Sequence, residues 1–350
     1  MSSVDVFVPC YRYGHFLRQC VESILAQSGV DVRVLILDDA SPDNTAEVGA
    51  QLAHNDTRVT LVRHSENKGH IATYNEGIEW ASADYVLLLS ADDYLLPGSL
   101  NRAAMIMDAH PEIGFIFGRA VNFIDNAAIH QRDTLANAII NDLVGGANFC
   151  ILSGLEFINA VASRGSINFI PTPTAVVRGS LQKRVGGYRA ELPHSGDWEM
   201  WLRLSANAHV GIVSEYQAVY RSHDSSMSGG YNEGKGLADI EQRRAALEVF
   251  FETYGRALPN SAELLRSLTG PLALSAMRCA SWAFNDGEME LSERFSQLAL
   301  DISPEVKGSR AWKLMALKRT IGVTMSSALV AAARSMRRRP TGRRVGVERE

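Results

Sequence analysis

Three short polar clusters, far apart in the chain, carry side chains suited to chemistry. Asp92 and Asp93 stand together in YVLLLSADDYLLPGSL, residues 85–100, directly after an apolar run and a short polar step. Two adjacent carboxylates can hold Mg²⁺ or Mn²⁺ against phosphate oxygens, with water completing the octahedron. Asp197 follows a glycine in HSGDWEMWLRL, residues 194–204, and precedes an apolar-periodic segment. That places its carboxylate at a helix N-terminus, where it serves either as a cap or as a proton acceptor. Arg221 and His223, in YRSHDSSMS at residues 220–228, are two positions apart and leave a strand on the same side. Beside a diphosphate they could meet phosphate oxygens and a metal respectively. Asp39 could accept hydrogen bonds from a base or ribose, and Tyr11 offers a face on which a nucleobase can stack.

The elements that must position these groups are legible from periodicity. Val4, Val6 and Val8 alternate with Asp5 and Phe7 in a first strand that Pro9 ends, and Phe16, Leu17, Cys20, Val21, Ile24 and Leu25 recur at helical spacing. Residues 32–37, 59–62 and 85–89 read as further strands, with helices over 45–54 and 71–81. Strand-helix alternation predicts an α/β fold, a mostly parallel sheet with helices on both faces. Right-handed crossovers then bring residues 9–12, 38–39, 67–70 and 92–93 to one rim.

Residues 113–123 predict one or two strands, and 125–146, weakly periodic, predict a variable loop region. A second organised block begins near Pro171, with a strand in TPTAVVRGS, a short helix in LQKRVGGY, a helix over 197–208 and strands over 210–213 and 218–220. Residues 222–236 predict a mobile loop, and the pattern beyond Leu237 is helical. Trp282, Phe284, Leu291, Phe295, Leu298 and Ile302 recur at approximate helical spacing, broken at Asn285-Asp286-Gly287. This predicts a helical hairpin, similar to one tetratricopeptide unit.

The chain has 350 residues, 46% hydrophobic and 21% charged, enough for one large core or two domains. Its four cysteines lie far apart without a CxxC pair, so neither a disulfide framework nor a cysteine zinc site is expected, and a reducing cytoplasm fits. A strand begins by Val4 with no basic and apolar leader ahead of it, which argues against a secretory signal. No apolar run reaches the roughly 18 residues of a membrane span. The net charge of −4 conceals a tail: from Lys313 onward ten Lys and Arg face two Glu. RSMRRRPTGRR has no aromatic to stack bases, so no nucleic-acid partner is expected. Beside the charge-free run of residues 320–333, the arginines suit peripheral contact with an anionic membrane.

In this order and spacing the clusters resemble the inverting family 2 glycosyltransferases of GT-A fold. The matching stretches are VPCYRY, LDDASPDNT, ENKGHIATYNEGIEWA and LLLSADDYLLPGSL, then residues 172–206 and the closing YRSH, together about two thirds of the chain. The resemblance implies a nucleotide-sugar-binding half over residues 1–120 and an acceptor-side half over 121–228. A helical extension over 229–311 and a basic tail over 312–350 follow. It implies that Pro9, Tyr11 and Asp39 hold the nucleoside, that Asp92 and Asp93 match the metal and ribose motif, that His223 is a third metal contact, and that Asp197 is the catalytic base. Arg221 would join the metal in stabilising the departing diphosphate. The chain has Ser90 where many members have Asp, and Gly196 where the base motif often has Glu. The expected activity is inverting sugar transfer from a nucleotide-sugar donor, UDP-linked by default, to a glycan or lipid-linked acceptor. The implied setting is bacterial surface polysaccharide synthesis at the inner face of the plasma membrane. The alternatives are a metal-dependent nucleotidyltransferase, although residues 9–16 supply only Gly14 for a phosphate loop, and a non-catalytic nucleotide-sugar-binding protein.

Overall fold

The computed structural model describes residues 1–224, 226 and 236–337, and in it the apolar runs build a β-α-β series. β1 (Ser3–Cys10), α1 (Gly14–Leu25), β2 (Asp31–Asp38), α2 (Thr45–Asn55), β3 (Val59–Arg63), α3 (His70–Trp80) and β4 (Tyr85–Leu88) follow in turn. Val4, Val6 and Val8 on one side of β1 and Phe7 on the other are all buried, as in a strand covered by helices on both faces. β1 pairs in parallel with β2 and β4, and β2 with β3, giving the order β3-β2-β1-β4. The chain therefore winds outward from β1 to β3 and returns on the far side of β1. That reversal is a topological switch point, and it opens a crevice at the carboxyl ends of β1 and β4.

The sheet continues through β5 (Tyr94–Leu95), α4 (Ser99–Ala109), β6 (Ile113–Ile124), β7 (Ile129–Gln131), α5 (Leu135–Val144), β8 (Phe149–Leu152), α6 (Gly154–Ser163) and β9 (Val176–Arg178). α7 (Gly179–Val185), α8 (Gly196–Ser205), β10 (His209–Ser222) and α9 (Leu237–Tyr254) complete this region. β9 runs antiparallel to both β4 and β6, while β6 and β10 are parallel, so one ten-stranded mixed sheet joins the expected donor and acceptor halves.

Three local expectations are corrected. Residues 125–146 hold β7 and α5, not only loop: Thr134 caps α5 by accepting from the Asn137 amide at 3.1 Å, and Gly145, at φ 61°, ends it. The second block starts before Pro171, with β8 and α6, the latter opened by a reciprocal Ser153/Glu156 capping box. The two strands expected over 210–213 and 218–220 are one strand, β10, whose register against β6 shifts on either side of Tyr216. Most of the loop expected over 222–236 lies outside the described residues.

The chain divides into two compact units, Met1–Leu268 and Thr269–Glu350, with the division inside α10 (Ser261–Asn285). The helical extension expected from residue 229 is thus shared, since α9 belongs to the first unit. In the second unit, α10 turns at Gly287 (φ 83°) into α11 (Met289–Ile302), and α12 (Arg310–Arg337) follows with a kink at Gly322. The hairpin places Phe284, Phe295 and Leu298 in its core. Trp282 is instead 62% exposed, because residues two apart on a helix face opposite ways. No helix among the described residues is long and apolar enough to cross a membrane. The tail beyond residue 337 lies outside the described residues.

Candidate active site

A cavity of about 570 Å³ opens at the switch point, within the size range of ligand pockets. Pro9, Tyr11, Asp39, Asp92, Asp93 and Asp197 all line it, so residues spread over most of the first 200 positions converge on one space. Arg221 and His223 are not among its lining residues.

The first wall is built by local backbone. After β2 the two carboxylates separate. Asp38 turns inward and accepts the Ser41 amide at 2.9 Å, while Asp39 faces the loop that follows β3. Asp39 Oδ1 accepts the Lys68 amide at 2.8 Å and Oδ2 the Gly69 amide at 2.9 Å. Gly69 reaches this position at φ 83°, a conformation glycine adopts without penalty. His64 Nδ1 lies 2.7 Å from Asp39 Oδ1, and its Nε2 lies 3.0 Å from Glu76 Oε2. Neither His64 nor Glu76 had a signal in the sequence, because His64 acts through Asp39 and Glu76 through His64.

At the exit of β4, Asp92 Oδ2 meets His223 Nε2 at 3.2 Å, whereas Asp92 Oδ1 is buried with no hydrogen-bond partner. Asp93 Oδ1 accepts the Arg221 amide at 2.8 Å. Burial and the neighbouring Asp92 charge push the Asp93 carboxyl well above its usual range, against the lowering effect of Arg221. Two crowded carboxylates with an unused oxygen fit a hard divalent cation, which takes one or two carboxylates and completes its shell with phosphate and water. Among the described residues no group of three or more His, Cys, Asp and Glu is placed to hold a metal, so the expected set of Asp92, Asp93 and His223 does not form such a group here. The Arg221 guanidinium lies away from the cavity: it stacks 4.1 Å over the Phe16 ring and donates to Gln19 Oε1 at 2.9 Å. It meets the site directly through its backbone amide and at longer range through its charge, which lowers the Asp93 pKa.

The opposite wall comes from the second half of the sheet. Asp197 sits in the first turn of α8 with an edge on the cavity and protein around the rest of its carboxyl. Thr172 Oγ1 donates to Asp197 Oδ2 at 2.8 Å, and the Tyr188 hydroxyl donates to the same carboxyl. Burial raises the Asp197 pKa, and the two hydroxyls followed by the charges of His70 and His194 offset part of the rise. A carboxyl raised in this way takes up a proton more readily than a solvated one.

Tertiary contacts hold this wall. Asn75 of α3 donates to the Tyr188 carbonyl at 2.9 Å and accepts the Tyr188 amide at 2.6 Å. The His70 ring, 2.9 Å from the Pro193 carbonyl, donates from Nε2. His194 Nε2 lies 2.8 Å from Asp239 Oδ1, and its amide donates to Gln242, so α9 supports the approach to α8. Thr172, Tyr188 and His70 escaped assignment because they come to Asp197 from other segments of the chain, and His194 because its own partners, Asp239 and Gln242, lie on α9. The position of His70 in the expected rim segment and of His194 in the cluster of Asp197 hinted at their places.

A sequence model described as Glycosyl transferase family 2 matches residues 5–180. The chain is 27% identical over 220 residues to the uncharacterized protein MT1568 of Mycobacterium tuberculosis, covering 62% of this chain and 66% of that one. It is 35% identical over 98 residues to the chondroitin synthase of Pasteurella multocida, covering 28% of this chain and 10% of that one. The chain thus spans less than two thirds of either relative. Among solved structures, S. aureus TarS 1–349 in complex with UDP-GlcNAc aligns over 87% of this chain and 92% of its own, at 14% identity and a TM-score of 0.53. That likeness shows a shared GT-A fold.

Proposed function

The chain belongs to glycosyl transferase family 2, and on that premise we propose that it moves a sugar from a nucleoside-diphosphate sugar to a hydroxyl of a glycan or lipid-linked acceptor, with inversion, in bacterial surface polysaccharide synthesis. The observation that carries this is Asp197. A carboxyl with a raised pKa, fixed by two hydroxyl donors, faces the same cavity as the Asp39, Asp92 and Asp93 carboxylates. In the proposed single displacement Asp197 takes the proton from the acceptor hydroxyl as that oxygen attacks the anomeric carbon. Thr172 and Tyr188 keep the carboxyl oriented through the transfer. Asp39, pinned by two amides and His64, takes the nucleoside, with Pro9 and Tyr11 beside it. Asp92 and Asp93 would hold Mg²⁺ or Mn²⁺, which supplies Lewis-acid stabilisation of the leaving diphosphate when bound. His223 orients Asp92, and the Arg221 amide orients Asp93. A UDP-linked donor is favoured, since the S. aureus neighbour was captured with UDP-GlcNAc.

Calorimetry with UDP, GDP, TDP and CDP, with and without Mn²⁺, followed by hydrolysis of the matching nucleotide sugars, tests this function. Metal-dependent binding of one diphosphate, weakened in Asp92→Ala and Asp93→Ala, is the expected result. Absence of nucleotide binding in every condition would sink it.

The second unit suggests peripheral membrane contact. Leu314, Leu317 and Met325 of α12 are each at least half exposed, and the basic tail follows them. A chain truncated after Ala311 is expected to lose sedimentation with anionic vesicles. Retention equal to the full chain would remove the idea.

A further inference from the structure

We infer that Arg12 is the cationic contact for the donor's diphosphate, a task the sequence pattern gives to Arg221. The inference rests on the donor class proposed above. Four carboxylates line the cavity, and a nucleoside diphosphate adds more negative charge. Among the described residues of the lining, Arg12 is the one side chain with a permanent positive charge. Arg221, the expected candidate, is spent in an aromatic nest behind the wall.

Position supports the assignment. β1 lies between β2 and β4, so the loop leaving β1 lies between the exits that carry Asp39 and Asp92-Asp93. A ligand reaching from the nucleoside end to the metal end crosses it. Arg12 is exposed there, with its guanidinium 5.1 Å over the Tyr11 ring, which orients the fork at the mouth of the cavity.

The backbone adds an independent sign. Arg12 has φ 66°, a left-handed conformation that glycine or asparagine adopts more readily. Its amide is fixed by donating to Ser41 Oγ at 3.1 Å, and two residues on, at Gly14, a Cβ would fall 2.4 Å from Asn44 Oδ1. An arginine kept in such a place at a cavity mouth is consistent with a task for its side chain.

The test is calorimetry of UDP, GDP and uridine in the presence of Mn²⁺ on the full chain, Arg12→Asn and Arg12→Lys. Asparagine tolerates the left-handed φ, so the loop keeps its shape, and an unchanged melting temperature confirms it. For whichever diphosphate the unmodified chain binds, Arg12→Asn is expected to weaken affinity by about 10- to 100-fold, the range of a charge-assisted bond. Arg12→Lys should fall between, keeping charge without the fork. Uridine affinity should stay unchanged. Equal diphosphate affinities in the unmodified chain and Arg12→Asn would overturn the assignment alone, leaving the donor class intact. An equal loss for uridine would overturn it by moving Arg12 to the base. Failure of the unmodified chain to bind either diphosphate would overturn both the UDP- or GDP-linked donor and the role of Arg12.

Discussion

Asp39 and Asp197 are both carboxylates on one cavity, yet the molecule treats them in opposite ways. Asp39 is met by two backbone amides and an imidazole, all N–H donors supplied by residues 64–69. Asp197 is met by two neutral hydroxyls from residues 172 and 188, and burial raises its pKa. Backbone amides cannot rotate away, so a carboxylate tied to them is a fixed acceptor suited to recognition. Hydroxyls can turn as charge changes, so a carboxylate tied to them can gain and lose a proton without breaking its surroundings. The same side chain thus becomes a binding group or a base according to the donors around it.

The sharpest way to break this contrast is to remove each carboxylate's charge. Asp197→Asn is expected to lower kcat by about 10²- to 10⁴-fold, the usual worth of a general base, while leaving the nucleotide Kd unchanged. Near-full turnover would assign the base elsewhere. The variant should also melt no lower than the unmodified chain at pH 8. A carboxyl with a raised folded pKa contributes its stability below the ordinary carboxylate range and loses it as pH rises through the raised value, so the ionised form is a burden at that pH. Asp39→Asn should do the reverse, weakening nucleotide binding by about 10-fold or more, because at least one amide then faces an N–H donor. A drop in kcat with an unchanged Kd would erase the distinction.

A smaller effect sharpens it further. The acid limb of the kcat/KM profile is expected above the ordinary carboxylate range, since activity needs Asp197 ionised and burial raises its pKa. Thr172 lowers that pKa by donating, so Thr172→Val should move the limb to higher pH and reduce the rate severalfold near neutrality. A pH profile that does not shift would mean that Thr172 is a packing residue only.

Much of this was legible in the chain. The β-α-β series follows from apolar periodicity, and strand ends in a parallel sheet must share a rim, which is why the pattern alone groups Pro9, Tyr11, Asp39, Asp92 and Asp93. The capping signals at Thr134 and Ser153 are also present, but weak periodicity over 125–146 obscures β7 and α5. β10 reads as two strands, 210–213 and 218–220, because a bulged strand interrupts its own alternation.

What the sequence determined by itself is the chemistry available and the order of the elements, since both depend on residue type and local spacing. The tertiary structure alone decided how that chemistry is divided. It turned the Arg221 guanidinium onto Phe16 so that Asp93 meets its amide directly and its charge only at longer range, brought Thr172 and Tyr188 to Asp197, and set His64 between Asp39 and Glu76. These contacts join side chains from separate elements, and the direction of a side chain across a packed sheet is set by register and packing, which local spacing does not encode.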